Sequence, residues 1–226
     1  MFRGLAQRLL FLLFIGIPAA LSAQLTDAGG IGAINLSGNL LSGLDWGFSQ
    51  ELRFNNQFSA LDRSATSVDL EYTLIRKVLK ADVGYDFLYY NQTNWFEPRH
   101  RVAFALSLQQ KIDPFALKLR SKIQSTWRDE SRGDYKFNPK YVWRNKLEAV
   151  YTIFGSPVKP YLSEEIMCPL NNTRGFLLDM FRTEGGVRYR ISESTTWQFF
   201  LRYDQEVQVK SPKAVLYGGV GWNYSF

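Results

Sequence analysis

The chain has 226 residues and a net charge of +6, with 15% aromatic residues and a mean hydropathy of only −0.21. A single histidine and a single cysteine exclude a zinc site, which needs several such ligands, and any intramolecular disulfide. The length suits one sizeable domain, and the charge permits contact with anionic surfaces without requiring it.

Residues 1–23 read as a secretory signal peptide. Arg3 and Arg8 precede the apolar run from Leu9 to Pro18, and the small-residue stretch Ala19-Ala20-Leu21-Ser22-Ala23 closes the segment. No later run reaches the length of a helical membrane span. Residues 24–43, rich in glycine and serine, leave three options open: a tail, an additional strand, or a segment inside the rest of the fold.

From residue 44 onward a period of two takes over. Val68, Leu70, Tyr72 and Leu74 alternate with Asp69, Glu71 and Thr73; Val83, Tyr85, Phe87 and Tyr89 alternate with Asp82, Gly84 and Asp86. The same pattern sets Leu117, Leu119 and Ile123 against Lys118, Arg120 and Lys122, and Trp197, Phe199, Leu201 and Tyr203 against Gln198, Arg202 and Asp204. Ten strands are predicted, over 44–54, 64–75, 79–91, 97–111, 115–129, 140–152, 158–168, 177–190, 195–208 and 213–226. They are longer than the roughly 5–6 residues usual in globular domains and match the roughly 9–11 or more of a strand tilted across a bilayer.

Short connections near Arg76-Lys77, Asp113-Pro114, Gly155-Ser156 and Ser192-Glu193-Ser194 alternate with longer polar ones at 55–63, 92–96, 130–139 and 169–176, and a shorter fifth near Ser211-Pro212. The expectation is an all-β, antiparallel, transmembrane up-and-down β-barrel of about ten strands (twelve possible) over residues 44–226, set in an outer membrane. An even count places both chain ends at the periplasmic rim. A secreted sandwich or lipocalin-like barrel shares the period. Against it stand the aromatics near strand ends (Tyr89, Trp127, Tyr141, Trp143, Tyr151, Tyr189, Trp197, Trp222) and the dense charge on the opposite face, which a soluble core could not bury. The last strand places Trp222, Tyr224 and Phe226 on one face, and this ending resembles the assembly signal that barrel-assembly machinery reads in bacterial outer-membrane proteins.

Two stretches, Lys159-Pro160-Tyr161-Leu162-Ser163-Glu164-Glu165 and Gly186-Val187-Arg188-Tyr189-Arg190, resemble an uncharacterised bacterial barrel family, the domain of unknown function 2490. The resemblance spans most of the chain after the signal segment and implies a single outer-membrane barrel. It supplies no reaction and no catalytic residue. Met167-Cys168-Pro169 departs from the aromatic strand end that the family leads one to expect.

Turning the polar face inward gathers one constellation. The first three predicted strands send in Asp45, Glu51, Asp69, Glu71, Asp82 and Asp86 against Arg53 and Lys80. The next three send in Arg99, Arg101, Lys118, Arg120, Lys122, Arg128, Arg144 and Lys146 against Glu148. The remainder are mixed: Arg182, Arg188, Arg190 and Arg202 with Glu165, Glu184, Asp204 and Glu206. Like-charged neighbours repel, so Arg101, Lys118 and Arg120 need acids from across the lumen, or small anions. Interlocked ion pairs would close the lumen. An open arrangement would give a narrow, weakly anion-selective pore or a pocket for a small anionic ligand.

Enzymatic readings find little support. His100 lies between Arg99 and Arg101, so period two turns it outward, away from them. No Gly-x-Ser-x-Gly elbow is present, and Gly30-Ile31-Gly32 lacks the third glycine of a nucleotide-binding turn. Cys168 is read as an unpaired residue at a strand end. Lys140-Tyr141-Val142-Trp143-Arg144 mixes bases and aromatics, but alternation splits them onto two faces and denies nucleic acid a stacking platform. Arg128, Arg132 and Lys136 suit lipopolysaccharide phosphates at the outer rim. The expected protein is a monomeric, cofactor-free, non-enzymatic envelope barrel, structural or ligand-binding. A narrow pore and a lipid-modifying enzyme are the alternatives.

Overall fold

The computed structural model describes residues 25–92, 94–172, 177–209 and 211–226, so the signal peptide expected over residues 1–23 lies outside the described residues. Eleven strands follow one another: β1 (Asp27–Leu41), β2 (Leu44–Asn55), β3 (Ala60–Ile75), β4 (Leu79–Asn91), β5 (Phe96–Ile112), β6 (Phe115–Arg128), β7 (Lys140–Tyr151), β8 (Val158–Pro169), β9 (Met180–Arg190), β10 (Thr195–Glu206) and β11 (Ala214–Ser225). They close into one barrel in chain order, with β11 beside β1. All ten strands expected from the alternation are present. Their ends shift most at β3, which begins at Ala60, and at β9, which begins at Met180.

The strand count and the position of the chain ends are corrected. Strand direction reverses at every connection, so an odd number of strands forces one parallel seam. That seam joins β1 and β11, with Asp27 opposite Val215 and Ser37 opposite Ser225. Every other pair is antiparallel. The described chain therefore starts at the rim of the long loops and ends at the rim of the short turns. Residues 24–43 resolve largely into β1, one of the three options. Its outward positions include Gly30, Gly32 and Gly38, and its inward ones Ala33, Asn35 and Ser37, so the hydropathy contrast that reveals the other strands is muted.

Polarity is inverted relative to a soluble barrel. The outward set includes Leu201 at 62% exposure, Phe104 at 53% and Ile123 at 51%, while inward Glu184 is 4% exposed and Glu165 and Asp204 are 6%. Tyr89, Trp127, Tyr141, Tyr151 and Tyr189 all lie on the outer face and are exposed. No helix among the described residues is long and apolar enough to cross a membrane.

The lumen is not charged throughout. Ile31, Tyr161, Phe200 and Tyr217 form a buried cluster, with Val150 and Val215 packed against it. Phe200 fits because Gly186 and Gly219 face it from the neighbouring strands; a Cβ on either glycine would collide with the Phe200 side chain. This aromatic wedge lies on one side of the barrel, beside the charged side chains that line the remaining wall.

Candidate lumenal site

Register decides which residues meet. On β8 the inward set is Lys159, Tyr161, Ser163 and Glu165, and Glu165 lies directly opposite Lys146 on β7 and Arg182 on β9. Arg144 reaches Glu165 with both arms of its guanidinium, Nε to Oε1 at 2.9 Å and Nη2 to Oε2 at 2.6 Å. Arg182 approaches the same carboxylate at 3.5 Å and grips Asp204 of β10 bidentately, both contacts at 2.7 Å. Asp204 also meets Arg53 of β2 at 3.4 Å, which bridges across the β1–β11 seam. Arg53 in turn contacts Glu51, and Glu51 takes Arg63 at 3.0 Å. Arg63 donates to the Tyr90 hydroxyl at 2.9 Å, and Arg99 stacks on the Tyr90 ring at 3.9 Å. One continuous chain of charged contacts thus runs across the lumen from β7 to β5 by way of β10 and β2.

A branch starts at Arg202, which bonds Glu184 at 2.7 Å and lies 3.8 Å from Glu51. Glu184 accepts from the Tyr161 hydroxyl at 2.9 Å, Gln198 donates to that hydroxyl, and Arg188 stacks over the Tyr161 ring at 4.4 Å before pairing with Glu148 at 2.9 Å. Charge-assisted and bidentate contacts of this kind are the strong ones, and inside a barrel they also fix the mutual position of strands that share no backbone bonds.

The predicted acidic and basic walls meet as well. Arg120 bonds Asp82 at 2.5 Å from two strands away, whereas Arg101 lies 3.4 Å from Asp86, its direct neighbour on β4 and not an acid from across the lumen. Lys80 pairs with Glu71 at 2.5 Å and Asp45 at 3.5 Å. Lys146 has only Glu148 at 3.7 Å. Lys118, Lys122 and Asp69 form no ion pair among the described residues, although all three face the lumen. Arg190 lies exposed at the end of β9 nearest the short turn, outside the network.

Near the long loops a cluster of contacts gathers around Glu97. Glu97, 1% exposed, takes Arg99 at 2.7 Å, Gln92 at 3.0 Å and the hydroxyl of Tyr135 at 3.0 Å. Tyr135 comes from the β6–β7 loop, and burial together with the bond to Glu97 pushes its phenol above the ordinary tyrosine range. Toward the short turns the packing opens into a cavity of about 390 Å³ bounded by Lys118, Arg120, Lys146, Glu148 and Arg188. A second cavity of about 260 Å³ lies deeper and shares Arg120 and Lys146 with the first.

Besides the loop residues Gln92 and Tyr135, four strand residues escape the sequence reading: Arg63, Tyr90, Glu97 and Tyr161. Each lies in phase with an inward residue already identified (Asp69, Asp86, Arg99 and Glu165 in turn), so the period carried the signal and strand boundaries or aromatic character masked it. His100 faces outward, its Nδ1 2.6 Å from the Tyr85 hydroxyl. Cys168 is a free, wholly buried cysteine near the end of β8, beside Trp143. No group of three or more His, Cys, Asp or Glu that could hold a metal ion occurs among the described residues.

The two stretches that suggested a family are direct neighbours: Pro160 pairs with Val187, and Lys159 with Arg188. Three of their inward residues, Tyr161, Glu165 and Arg188, are members of the lumenal network. Comparison with curated proteins finds no match. The family described as "Protein of unknown function (DUF2490)" matches residues 32–213, which takes in part of β1 and the whole of β2 to β10, and this chain belongs to that family.

Proposed function

We propose that the protein is an outer-membrane barrel of a bacterial envelope, held closed by ion pairs in its own lumen, and that it acts without catalysis as a structural or ligand-binding component. One observation carries this reading: an apolar, aromatic exterior surrounds a charged interior in a sheet with no free edge. In hydrocarbon every backbone polar group must be satisfied within the protein, which closure achieves, and the exterior must be apolar. Water offers no reason to expose Leu201, Phe104 and Ile123 around a ring of buried carboxylates. Strands of 11 to 17 residues are long enough to cross when tilted. In this setting lipopolysaccharide contacts the rim of the long loops, and the Trp222, Tyr224 and Phe226 face engages lipid and the assembly machinery.

Fractionation is the test. Full-length protein expressed at native level should sediment with the outer membrane and migrate faster on unheated than on heated SDS gels. Recovery as a detergent-independent periplasmic protein would refute the reading. A second reading, a narrow anion path, draws on the two adjoining basic cavities, and conductance separates it from a closed lumen.

A further inference from the structure

We propose that the deeper lumenal cavity is a binding site for a compact multivalent oxyanion of the phosphate class, with Lys122 as its principal ligand. The inference rests on the reading of the lumen as closed and ligand-holding. It does not depend on which membrane surrounds the barrel.

The cavity, about 260 Å³, is lined by eight basic side chains against four carboxylates. All four carboxylates are already engaged: Glu51 with Arg63, Asp86 with Arg101, Glu165 with Arg144 and Arg182, and Glu184 with Arg202. Asp82 and Asp204, outside the lining, offset Arg120 and Arg182, so the remaining positive charge rests on Lys122 and the loosely paired Lys146. Lys122 lies opposite Arg144, and Arg120 opposite Lys146, on the adjacent strands β6 and β7. Like charges facing each other across a strand pair repel, and removal from bulk water increases the cost. Arg144 and Arg120 are turned to Glu165 and Asp82, Lys146 has one loose partner, and Lys122 has none among the described residues. An anion seated against Lys122 and Lys146 would relieve this repulsion.

Size and charge select the ligand. The cavity is smaller than the roughly 300–1,000 Å³ of pockets for drug-sized molecules, which favours a compact ion. Several convergent ammonium and guanidinium donors favour a multivalent tetrahedral oxyanion over chloride. The larger cavity, which shares Arg120 and Lys146 and adds Lys118 and Arg188, offers a basic approach from the short-turn end. The phosphate of a membrane lipid carries acyl chains that a charged lumen does not accommodate, so the free ion is the expected source.

The test uses the detergent-purified full chain, titrated calorimetrically with inorganic phosphate, pyrophosphate and chloride at constant ionic strength, and with dihexanoyl phosphatidic acid as the lipid counterpart. Saturable one-site binding of phosphate or pyrophosphate is expected, with weaker binding of chloride and of the short-chain lipid. Lys122→Gln should weaken it about tenfold or more. In buffer free of multivalent anions the same variant should unfold at a higher temperature than the wild type, because it removes an unpaired, half-buried charge facing Arg144. Lys118→Gln, in the approach, should leave the affinity nearly unchanged. Absence of saturable binding by a folded, non-conducting barrel would overturn this inference and leave the closed-lumen reading intact. Undiminished binding by Lys122→Gln would overturn it too, as would tighter binding of the lipid. A conducting wild type whose phosphate binding still depends on Lys122 would refute closure and retain the site.

Discussion

Replacing Glu165 by glutamine removes one charge from a residue that is 6% exposed and bonded through both carboxylate oxygens. Arg144 loses its bidentate partner and Arg182 its second one, while the new amide turns donors toward guanidinium donors. Breaking a buried ion pair from one side costs about 3–5 kcal/mol, because the remaining charge is left uncompensated. The adjoining cavity of about 260 Å³ has room for water to solvate the stranded arginines, which favours the low end, about 3 kcal/mol. At about 2–4 °C per kcal/mol for a chain of this size, the unfolding midpoint should fall by about 6–12 °C. Circular dichroism during heating in detergent reads this directly. The control is the preceding residue: Glu164 points outward and accepts a bond from Thr183 at 2.9 Å, so Glu164→Gln should change stability by less than about 1 kcal/mol. Equal effects of the two substitutions, or a Glu165→Gln protein as stable as the wild type, would refute the lumenal network as a source of stability.

Two further outcomes are expected. Gly32 lies opposite Val220 on the outer face of the parallel seam, so Gly32→Cys combined with Val220→Cys should cross-link under mild oxidation; cross-links from Val220→Cys to β2 instead would show a ten-strand closure. Deleting Phe226 removes the bond from its backbone N–H to Ser37 O (2.9 Å) and its ring contacts with Trp46 and Tyr224, and should lower the amount in the outer membrane while inserted molecules keep a normal spectrum. Normal membrane yield by blotting would remove the last residue from any assembly role.

Much of this architecture is legible in the sequence because the exterior and the lumen differ so sharply in polarity. Val83, Tyr85 and Phe87 against Asp82 and Asp86 leave no doubt about face or period, and the inward assignment of Arg101, Arg120, Arg144 and Glu165 follows from it. In the sequence β1 stays open among three options because glycine and alanine contribute little hydropathy contrast, and the parallel seam depends on that strand alone. The pairing within the lumen was illegible for another reason. Arg53 reaches Asp204 across the seam, 151 positions along the chain, and no local pattern encodes which guanidinium meets which carboxylate. Tyr90 and Tyr161 were hidden because an aromatic in a barrel strand suggests the outer face. Here each is held inside by arginines that stack on its ring and by hydrogen bonds to its hydroxyl.

The central claim, a barrel closed by its own charges, is tested most directly by current through single molecules of the wild-type protein in a planar bilayer. With Glu97, Arg99 and Tyr135 clustered at the long-loop end and the Arg144–Glu165–Arg182–Asp204–Arg53 chain spanning the lumen, insertion should add no stepwise ohmic conductance if the proposed closure holds. Stable open steps with a preference for anions would contradict that claim and identify the basic cavities as part of a pore.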